Sequence, residues 1–287
     1  MNQSMQKNED WDLVIRPKSS LFHLHLADIW HYRDLLILFI KRDFIAQYKQ
    51  TILGPLWHLI QPILTTLVFL LLFGRIAHIP TDGIQPVLFY MSGITLWNYF
   101  SICLTSTSNT FINNAAIFGK VYFPRLVIPL SIVLSNLIRL GIQFGLLLAT
   151  MIWYHFKGYP IQISLTWLWI PVLVLLMAGL GLGLGIIISS LTTKYRDLSI
   201  LMSFVVQLWM YITPVGYPMS YLEHSKYATF INLNPLSSIV EAFRYALFHK
   251  GSLNSSGLLY SFTFMLISLF IGLLIFNKVE RSFMDTV

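Results

Sequence analysis

The chain has 287 residues, 56% hydrophobic and only 11% charged, whereas soluble domains carry about a quarter charged residues. A mean hydropathy of +0.67 excludes an ordinary soluble domain, and the single cysteine, Cys103, excludes an internal disulfide or a thiolate metal cluster. The net charge of +7 raises nucleic acid as a partner, a reading that the placement of the charges removes below.

Residues 1–20 contain Glu9, Asp10 and Asp12 and lack an apolar core, which predicts no secretory signal and a cytoplasmic amino terminus. The stretch 41–62, KRDFIAQYKQTILGPLWHLIQP, begins cationic and becomes apolar through Gly54-Pro55. On a helical wheel Leu36, Ile37, Ile40, Phe44 and Tyr48 share one side, with Arg42, Asp43, Lys49 and Gln50 largely opposite. This is an imperfect amphipathic pattern that fits an interfacial helix, though composition alone favours the basic flank of a first membrane span. Gly54 and Pro55 suit a sharp change of direction.

A bilayer core of about 30 Å needs roughly 20 apolar residues per helix. Such runs are predicted at 56–74, 86–106, 126–153, 165–191, 198–215 and 258–276, giving an all-α membrane protein with six spans. The amino-terminal segment holds seven Lys and Arg, and the loops with Lys120 and Arg125, with Lys194 and Arg196, and the tail with Lys278 and Arg281 hold two each. These thirteen lie on one side of the six-span topology, against five on the other: Arg75, Lys157, Lys226, Arg244 and Lys250. The positive-inside rule then places both termini in the cytoplasm. The basic excess reads as topology and headgroup contact, not nucleic-acid binding. Two regions follow, a cytoplasmic segment at 1–54 and a membrane domain at 55–287.

Along the spans, the second holds Trp97, Tyr99 and Phe100 with hydroxyls at Thr95, Ser101 and 105–108. Aromatics and hydroxyls of a membrane helix serve packing, interfacial anchoring and bonds to their own backbone; rings and hydroxyls also suit a carbohydrate path. Asn113 to Arg125, NNAAIFGKVYFPR, lies on the cytoplasmic side, and Pro124 predicts that a short helix ends before it. Arg139 is the one charge well inside a predicted span, a functional-site signal by default; binding a phosphate and bonding neighbouring carbonyls both stand open. Gly179/Gly183 and Gly181/Gly185 form two G-x-x-x-G faces for close helix approach. They do not fit a nucleotide-binding G-x-G-x-x-G. Pro214 and Pro218 predict a break that frees carbonyls in need of partners. After Asn234-Pro235, Ile239, Phe243 and Leu247 recur at helical spacing, and Glu241 and Arg244 are placed to pair.

Several of these strings resemble one family. RD-x4-YKQT-x-LGPLW-x4-P at 42–62, N-x6-KVYFPR-x3-P at 113–129, the Tyr195-Arg196-Asp197 turn, QLWM…TPV…YP at 207–218 and LNPLSSIVEAFRYALF at 233–248 are similar to the ABC-2 permeases that export bacterial O-antigen, capsule and teichoic acid. The resemblance covers the chain from about residue 30 onward. It implies a homodimeric channel in the bacterial inner membrane above two copies of a P-loop ATPase, which bind the ATP and Mg, and a lipid-linked polysaccharide as cargo. It implies ATPase coupling through Asn114, Ile117, Phe118, Lys120, Tyr122 and Arg196. It implies a glycan path lined by Trp97, Tyr99, Phe100, Trp209 and Tyr211, and re-entrant outer gate helices with Pro214, Pro218, Asn234, Glu241 and Arg244. Lys41, Arg42 and Lys49 are expected to hold the lipid pyrophosphate, since cationic side chains pair well with phosphate. Arg139 departs from the family, which often carries an acidic residue near this position.

The sequence holds no G-x-x-x-x-G-K-[ST], so ATP hydrolysis is expected in a separate subunit. No Asp or Glu falls within a predicted span, which argues against a carboxylate proton relay. The histidines are scattered, and neither a metal cluster nor a catalytic constellation is evident. The chain therefore reads as a non-enzymatic permease. Its rivals are a membrane-embedded enzyme acting on lipid-linked sugars, for which only Asp43, Asp197 and Glu241 offer carboxylates, and an ABC-2 exporter of a drug or small lipid.

Overall fold

A backbone that crosses lipid must satisfy its own N–H and C=O groups, and a single helix does so without partners. The computed structural model describes residues 30–49, 51–118, 120–121, 123–161, 164–222, 225–251 and 253–283, and among them there is no strand. Helix α1 spans Arg33–Tyr48. A turn at Thr51, which bonds the Tyr48 carbonyl through its backbone N–H and its hydroxyl, leads to Gly54 at φ 48°. There the chain changes direction as its sequence predicts. A 3₁₀ turn at Gly54–Leu56 opens α2, Trp57–Phe69, which continues as π-helix through Leu70–Ile76.

Then come α3 (Pro86–Ser108), the short α4 (Thr110–Phe118), α5 (Val127–Phe156), α6 (Trp169–Thr192), α7 (Leu198–Ile212), the short α8 (Met219–Leu222) and α9 (Ala228–Leu233), α10 (Pro235–Phe248) and α11 (Ser255–Phe283). Among the described residues, five helical segments are long and apolar enough to cross a membrane: Gly54–Ile76, Pro86–Ser108, Val127–Phe156, Leu165–Thr192 and Ser255–Val279. The expected sixth, over 198–215, is a helix of only 15 residues. It ends at Ile212 because Pro214 cannot donate to the ladder.

Helix α3 is buried over most of its surface: Phe89, Tyr90, Leu96, Phe100 and Leu104 are shielded, while Asn98, Ser101 and Thr105 are half-buried. Around it pack α6, α5, α2 and α7, and α11 lies on the far side of α6. The glycines of α6 serve two neighbours. A Cβ on Gly181 would lie 2.8 Å from Cys103 Cβ of α3, and one on Gly183 would lie 2.9 Å from the Leu269 backbone nitrogen of α11. The two G-x-x-x-G faces thus point opposite ways, and each admits one helix to backbone contact. Hydroxyls mostly bond their own helix, as Thr105 to Ser101 O at 2.8 Å and Ser190 to Ile186 O at 3.0 Å; Thr192 instead reaches Ser108 O of α3 at 2.8 Å.

The inward face of α1 differs from its helical-wheel reading. Phe39 is buried against Phe123, with Tyr32, Leu35 and Leu36 packed around the same cluster, while Ile37 and Ile45 are exposed. Packing on α5, not a continuous apolar stripe, sets this orientation.

Overpacking a full interface costs about 1–3 kcal/mol or more. Gly183→Leu is expected to lower the thermal unfolding midpoint in detergent sharply. Gly141, whose added Cβ would meet nothing within 4 Å, is expected to accept Ala with a neutral or slightly favourable effect of up to about 1 kcal/mol. Equal responses at the two sites would refute the packing argument.

Candidate functional site

Three groups of polar and aromatic side chains occupy three levels of the bundle. At one end, α4 is fixed by rings. Phe111 packs on Phe276 of α11 at 4.7 Å and on Phe118 at 5.7 Å; Phe118 meets Phe123 at 5.9 Å, and Phe123 meets Phe39 of α1 at 5.7 Å. Arg125 lies over Phe118 at 5.4 Å and Arg42 over Phe39 at 4.6 Å. Aromatic pairs at these spacings are worth roughly 0.5–1.5 kcal/mol each beyond burial, so the chain of rings joins α1, α4, the segment leading into α5, and α11. Asn114 is buried and returns its amide to Thr110 O at 3.0 Å. Ile117 is half-buried, Phe118 buried, and Lys120 and Arg196 are exposed. Tyr122 lies outside the described residues.

At the opposite end, the loop after α7 closes on α10. The carbonyls of Pro214 and Val215 accept from Arg244 Nη1 at 2.6 Å and Nη2 at 2.7 Å. Arg244 is fully buried, stacks 3.6 Å from the Phe89 ring centre and lies 3.6 Å from Glu241. The carbonyls of the proline-broken segment thus find their partner in Arg244, one of the five cations that the charge count had assigned to the outer side. Gly93 of α3 makes the space, since a Cβ there would lie 2.7 Å from Arg244 Nη2. Asn234 caps α10 by accepting from the Leu236 N–H at 3.1 Å. It also accepts from Trp209 Nε1 at 3.2 Å and donates to Thr213 Oγ1 at 2.9 Å. Pro214 and Pro218 are buried. Helix α10 is not amphipathic in place: Ser237, Ser238, Glu241 and Arg244 are buried along with Ile239, Phe243 and Leu247. Burial pushes the nearby Tyr217 hydroxyl up to about 12, with Arg244 pulling the other way.

Between these ends lies a polar cleft that the sequence had not revealed. One recess of about 410 Å³ is bounded by Arg42, Asp43 and Phe44 of α1, Asn113 and Asn114 of α4, Ser106 of α3, and Ile132, Ser135, Asn136 and Arg139 of α5. A second, of about 240 Å³, is lined by His58 and Gln61 of α2, Asn98, Tyr99, Ser101 and Thr105 of α3, and Asn136, Arg139 and Gln143 of α5. Asn98 Nδ2 donates to Gln143 Oε1 at 3.4 Å. Tyr48 faces Arg139 and packs edge-on against His58 at 5.6 Å. Burial raises its hydroxyl above the usual phenol range, against the pull of the guanidinium.

The expected site residues fall as follows. Arg42 reaches the cleft, paired with Asp43 at 2.7 Å, while Lys41 and Lys49 are exposed. Trp97 and Phe100 are buried in the core, Phe100 edge-on to Trp209 at 5.5 Å. Tyr99 bonds Val133 O at 3.4 Å from within the core and also borders the smaller recess; Tyr211 is exposed. Sequence reasoning missed Gln61, Asn98, Asn136 and Gln143. The signal was there: Asn136, Arg139 and Gln143 stand three and four apart, on one face of an otherwise apolar helix. Among the described residues no three His, Cys, Asp or Glu side chains are grouped to hold a metal ion.

Residues 34–248 match the ABC-2 type transporter family. The chain is 31% identical over 255 residues to a Klebsiella pneumoniae protein named O-antigen export system permease protein RfbA, covering 88% of this chain and 94% of that one. A second K. pneumoniae protein of the same name is 30% identical with the same coverage. A Myxococcus xanthus protein, also of that name, is 28% identical over 235 residues, 78% of this chain and 84% of its own.

Removing one partner of a buried charge network costs about 3–5 kcal/mol. Arg244→Met should therefore lower the unfolding midpoint far more than Lys157→Met at the exposed end of α5. Arg244→Lys should fall between, because an ammonium lacks the fork that meets two carbonyls at once. Calorimetry in detergent reads all three.

Proposed function

The chain belongs to the ABC-2 type transporter family, and on that premise we propose that it is the channel-forming permease of an ATP-driven exporter of lipid-linked polysaccharide, with O-antigen as cargo. The cargo rests on one observation: similarity across 78–88% of the chain to three proteins named as O-antigen export permeases. With no phosphate-binding loop in its sequence, the chain takes its energy from a partner. Two copies of the permease form the channel above two ATPase subunits, which bind ATP and Mg.

In this reading the protein sits in the bacterial inner membrane with both termini in the cytoplasm and six crossings. The fifth crossing is α7. Its 15 residues reach about 22 Å at 1.5 Å per residue, short of the roughly 30 Å hydrocarbon core. The Arg244-bound loop and α10 complete that wall from the outer side, as a re-entrant gate. Backbone of this irregular kind is tolerated at membrane depth where protein buries it, and Arg244 and Asn234 supply the burial and the bonds. Helix α1 lies along the inner interface, with Lys41, Arg42 and Lys49 at the level of lipid phosphates.

Coupling follows from the ring chain. Closure of the ATPase pair displaces α4 and the exposed Lys120 just beyond it, and Phe118, Phe111 and Phe123 pass the displacement to α1, the segment leading into α5, and α11 together. The buried side of α4 transmits and its exposed side docks.

A pull-down of the tagged chain from native membranes in mild detergent is expected to recover a stoichiometric protein with a Walker A lysine, and mutating that lysine should abolish ATPase activity. Lys120→Glu combined with Arg196→Glu should cut ATPase recovery at least about fivefold without changing permease yield, since charged rim contacts govern association. Deleting the chain should leave undecorated lipid A at the surface and lipid-linked polymer inside. A chain recovered alone, active without nucleotide, would refute the permease reading.

A further inference from the structure

We infer that the recess at the Arg244 end of the bundle, between the turn at 81–84, α8, α9 and the entry to α11, is a subsite for one neutral sugar unit. Asp82 accepts from the sugar hydroxyls, and Asn232 and Asn254 donate to them. The saccharide chemistry is read from the lining; that the sugar belongs to an exported polymer rests on the exporter reading.

The recess holds about 410 Å³, within the roughly 300–1,000 Å³ of small-molecule sites. Protein interiors are otherwise close-packed, and this space is no fault in an apolar core. Of the residues in α8 and α9 only Ile231 is buried. Four separate segments each send one polar side chain to the wall: Asp82, Ser220, Asn232 and Asn254. Leu222 and Ile231 are among its apolar lining.

The polar groups are held in place. Asp82 sits at φ 51° beside Gly83 at φ 72°, a left-handed conformation that aspartate tolerates better than most residues. The turn is closed by the Ile84 N–H on Thr81 O at 2.9 Å and the Thr81 hydroxyl on Ile84 O at 2.6 Å. The Tyr159 hydroxyl donates to the Gly83 carbonyl at 3.3 Å, and Lys250 Nζ bonds the same carbonyl. Both Asp82 oxygens accept from a single hydroxyl, that of Ser220, at 2.8 and 2.9 Å. A carboxylate has about four lone-pair sites, so one proton leaves most of its capacity for a ligand. Asn254 Oδ1 is filled by the Gly257 N–H at 3.0 Å and the Ser256 hydroxyl at 2.7 Å. Its amide hydrogens are the part on offer.

The lining selects the ligand. A sugar hydroxyl both donates and accepts; a carboxylate on one wall and carboxamides on the others satisfy both halves. The C–H face of the ring meets Leu222 and Ile231. Among the described lining residues Asp82 is the one ionised group. A phosphate is therefore repelled, and a calcium ion, which takes about six or more oxygens and several charges, finds one carboxylate. A neutral polyhydroxyl ring fits the whole set.

The test is saturation-transfer NMR and competition binding on the full chain in nanodiscs, with empty nanodiscs as the blank. The probes are the methyl glycosides of glucose, galactose, mannose, rhamnose and N-acetylglucosamine. At least one is expected to bind the wild type with millimolar or better affinity. Asp82→Gly, which keeps the left-handed turn free of strain, should weaken it at least about tenfold, the scale of a bond to a charged group. Asp82→Asn should recover part of that loss, and Asn232→Ala should cost about fivefold. Lys157→Met, at the exposed end of α5, should bind as the wild type does. Host-cell polysaccharide freed of lipid by mild acid is expected to displace the glycoside; Asp82-dependent binding without displacement would uphold the site and assign it to a free sugar. No glycoside bound by the wild type, unchanged affinity in Asp82→Gly, or binding that needs Ca²⁺ and vanishes with EDTA would overturn the inference. Should Asp82→Gly not fold, Asn232→Ala decides, and wild-type affinity there would overturn it. Asp82-dependent binding in a chain whose deletion leaves export intact would end the exporter reading alone. An export-essential chain whose sugar binding ignores Asp82 would end only this one.

Discussion

The outer half of the molecule depends on one guanidinium meeting two carbonyls. Helix α7 is broken by Pro214, and a broken helix inside an apolar bundle leaves acceptors whose desolvation costs several kcal/mol each in hydrocarbon. Arg244 answers both acceptors from α10, while its flat face rests on Phe89 of α3 and Glu241 offsets its charge. One side chain thus ties three elements that are distant in sequence. Asn234 repeats the device on a smaller scale, capping its own helix and bonding both Trp209 and Thr213. The end of α7 and the start of α10 are therefore set against each other by geometry-sensitive bonds, not by apolar contact alone.

The other half is held together differently. From Phe39 through Phe123, Phe118 and Phe111 to Phe276, rings at 4.7–5.9 Å join the peripheral α1 to the long α11. Ring contacts tolerate small rotations better than paired hydrogen bonds do. The contrast fits a device that accepts movement at one end and holds a fixed shape at the other. The polar cleft lies between these two regimes and borders elements of both.

Much of this was legible in the sequence because it is periodic or local. The apolar runs marked the long spans within a few residues, and Gly54-Pro55 announced the turn that Gly54 makes at positive φ. The spacing of Gly179, Gly181, Gly183 and Gly185 announced two close helix contacts, since residues four apart share a face. What stayed hidden needed a third dimension. Arg244 counts as an outer charge on any linear tally, yet α10 folds it wholly inside. Trp97 and Phe100, which the family resemblance implied as channel lining, fill the core, because the faces of α3 that carry them are covered by other helices. Phe39 rather than Ile37 turns inward on α1, a choice made by the neighbouring Phe123 and by packing on α5. The cleft draws Gln61, Asn98, Asn136 and Gln143 from three helices, and only the α5 members betray a common face beforehand.

The bare backbone contacts of α6 carry a mechanical corollary. Interlocking side chains can trade rotamers and let two helices slide, whereas backbone resting on backbone has no such slack. Helices α3, α6 and α11 therefore form a chassis of fixed cross-section, and any widening of a passage has to be made at the lighter panels hung on it. Those panels are α1, the π-helical end of α2 and the short α7, whose outward sides are lined with exposed apolar residues such as Leu67, Leu71, Phe204 and Leu208. A substitution that jams the chassis stops assembly; one that stiffens a panel stops passage.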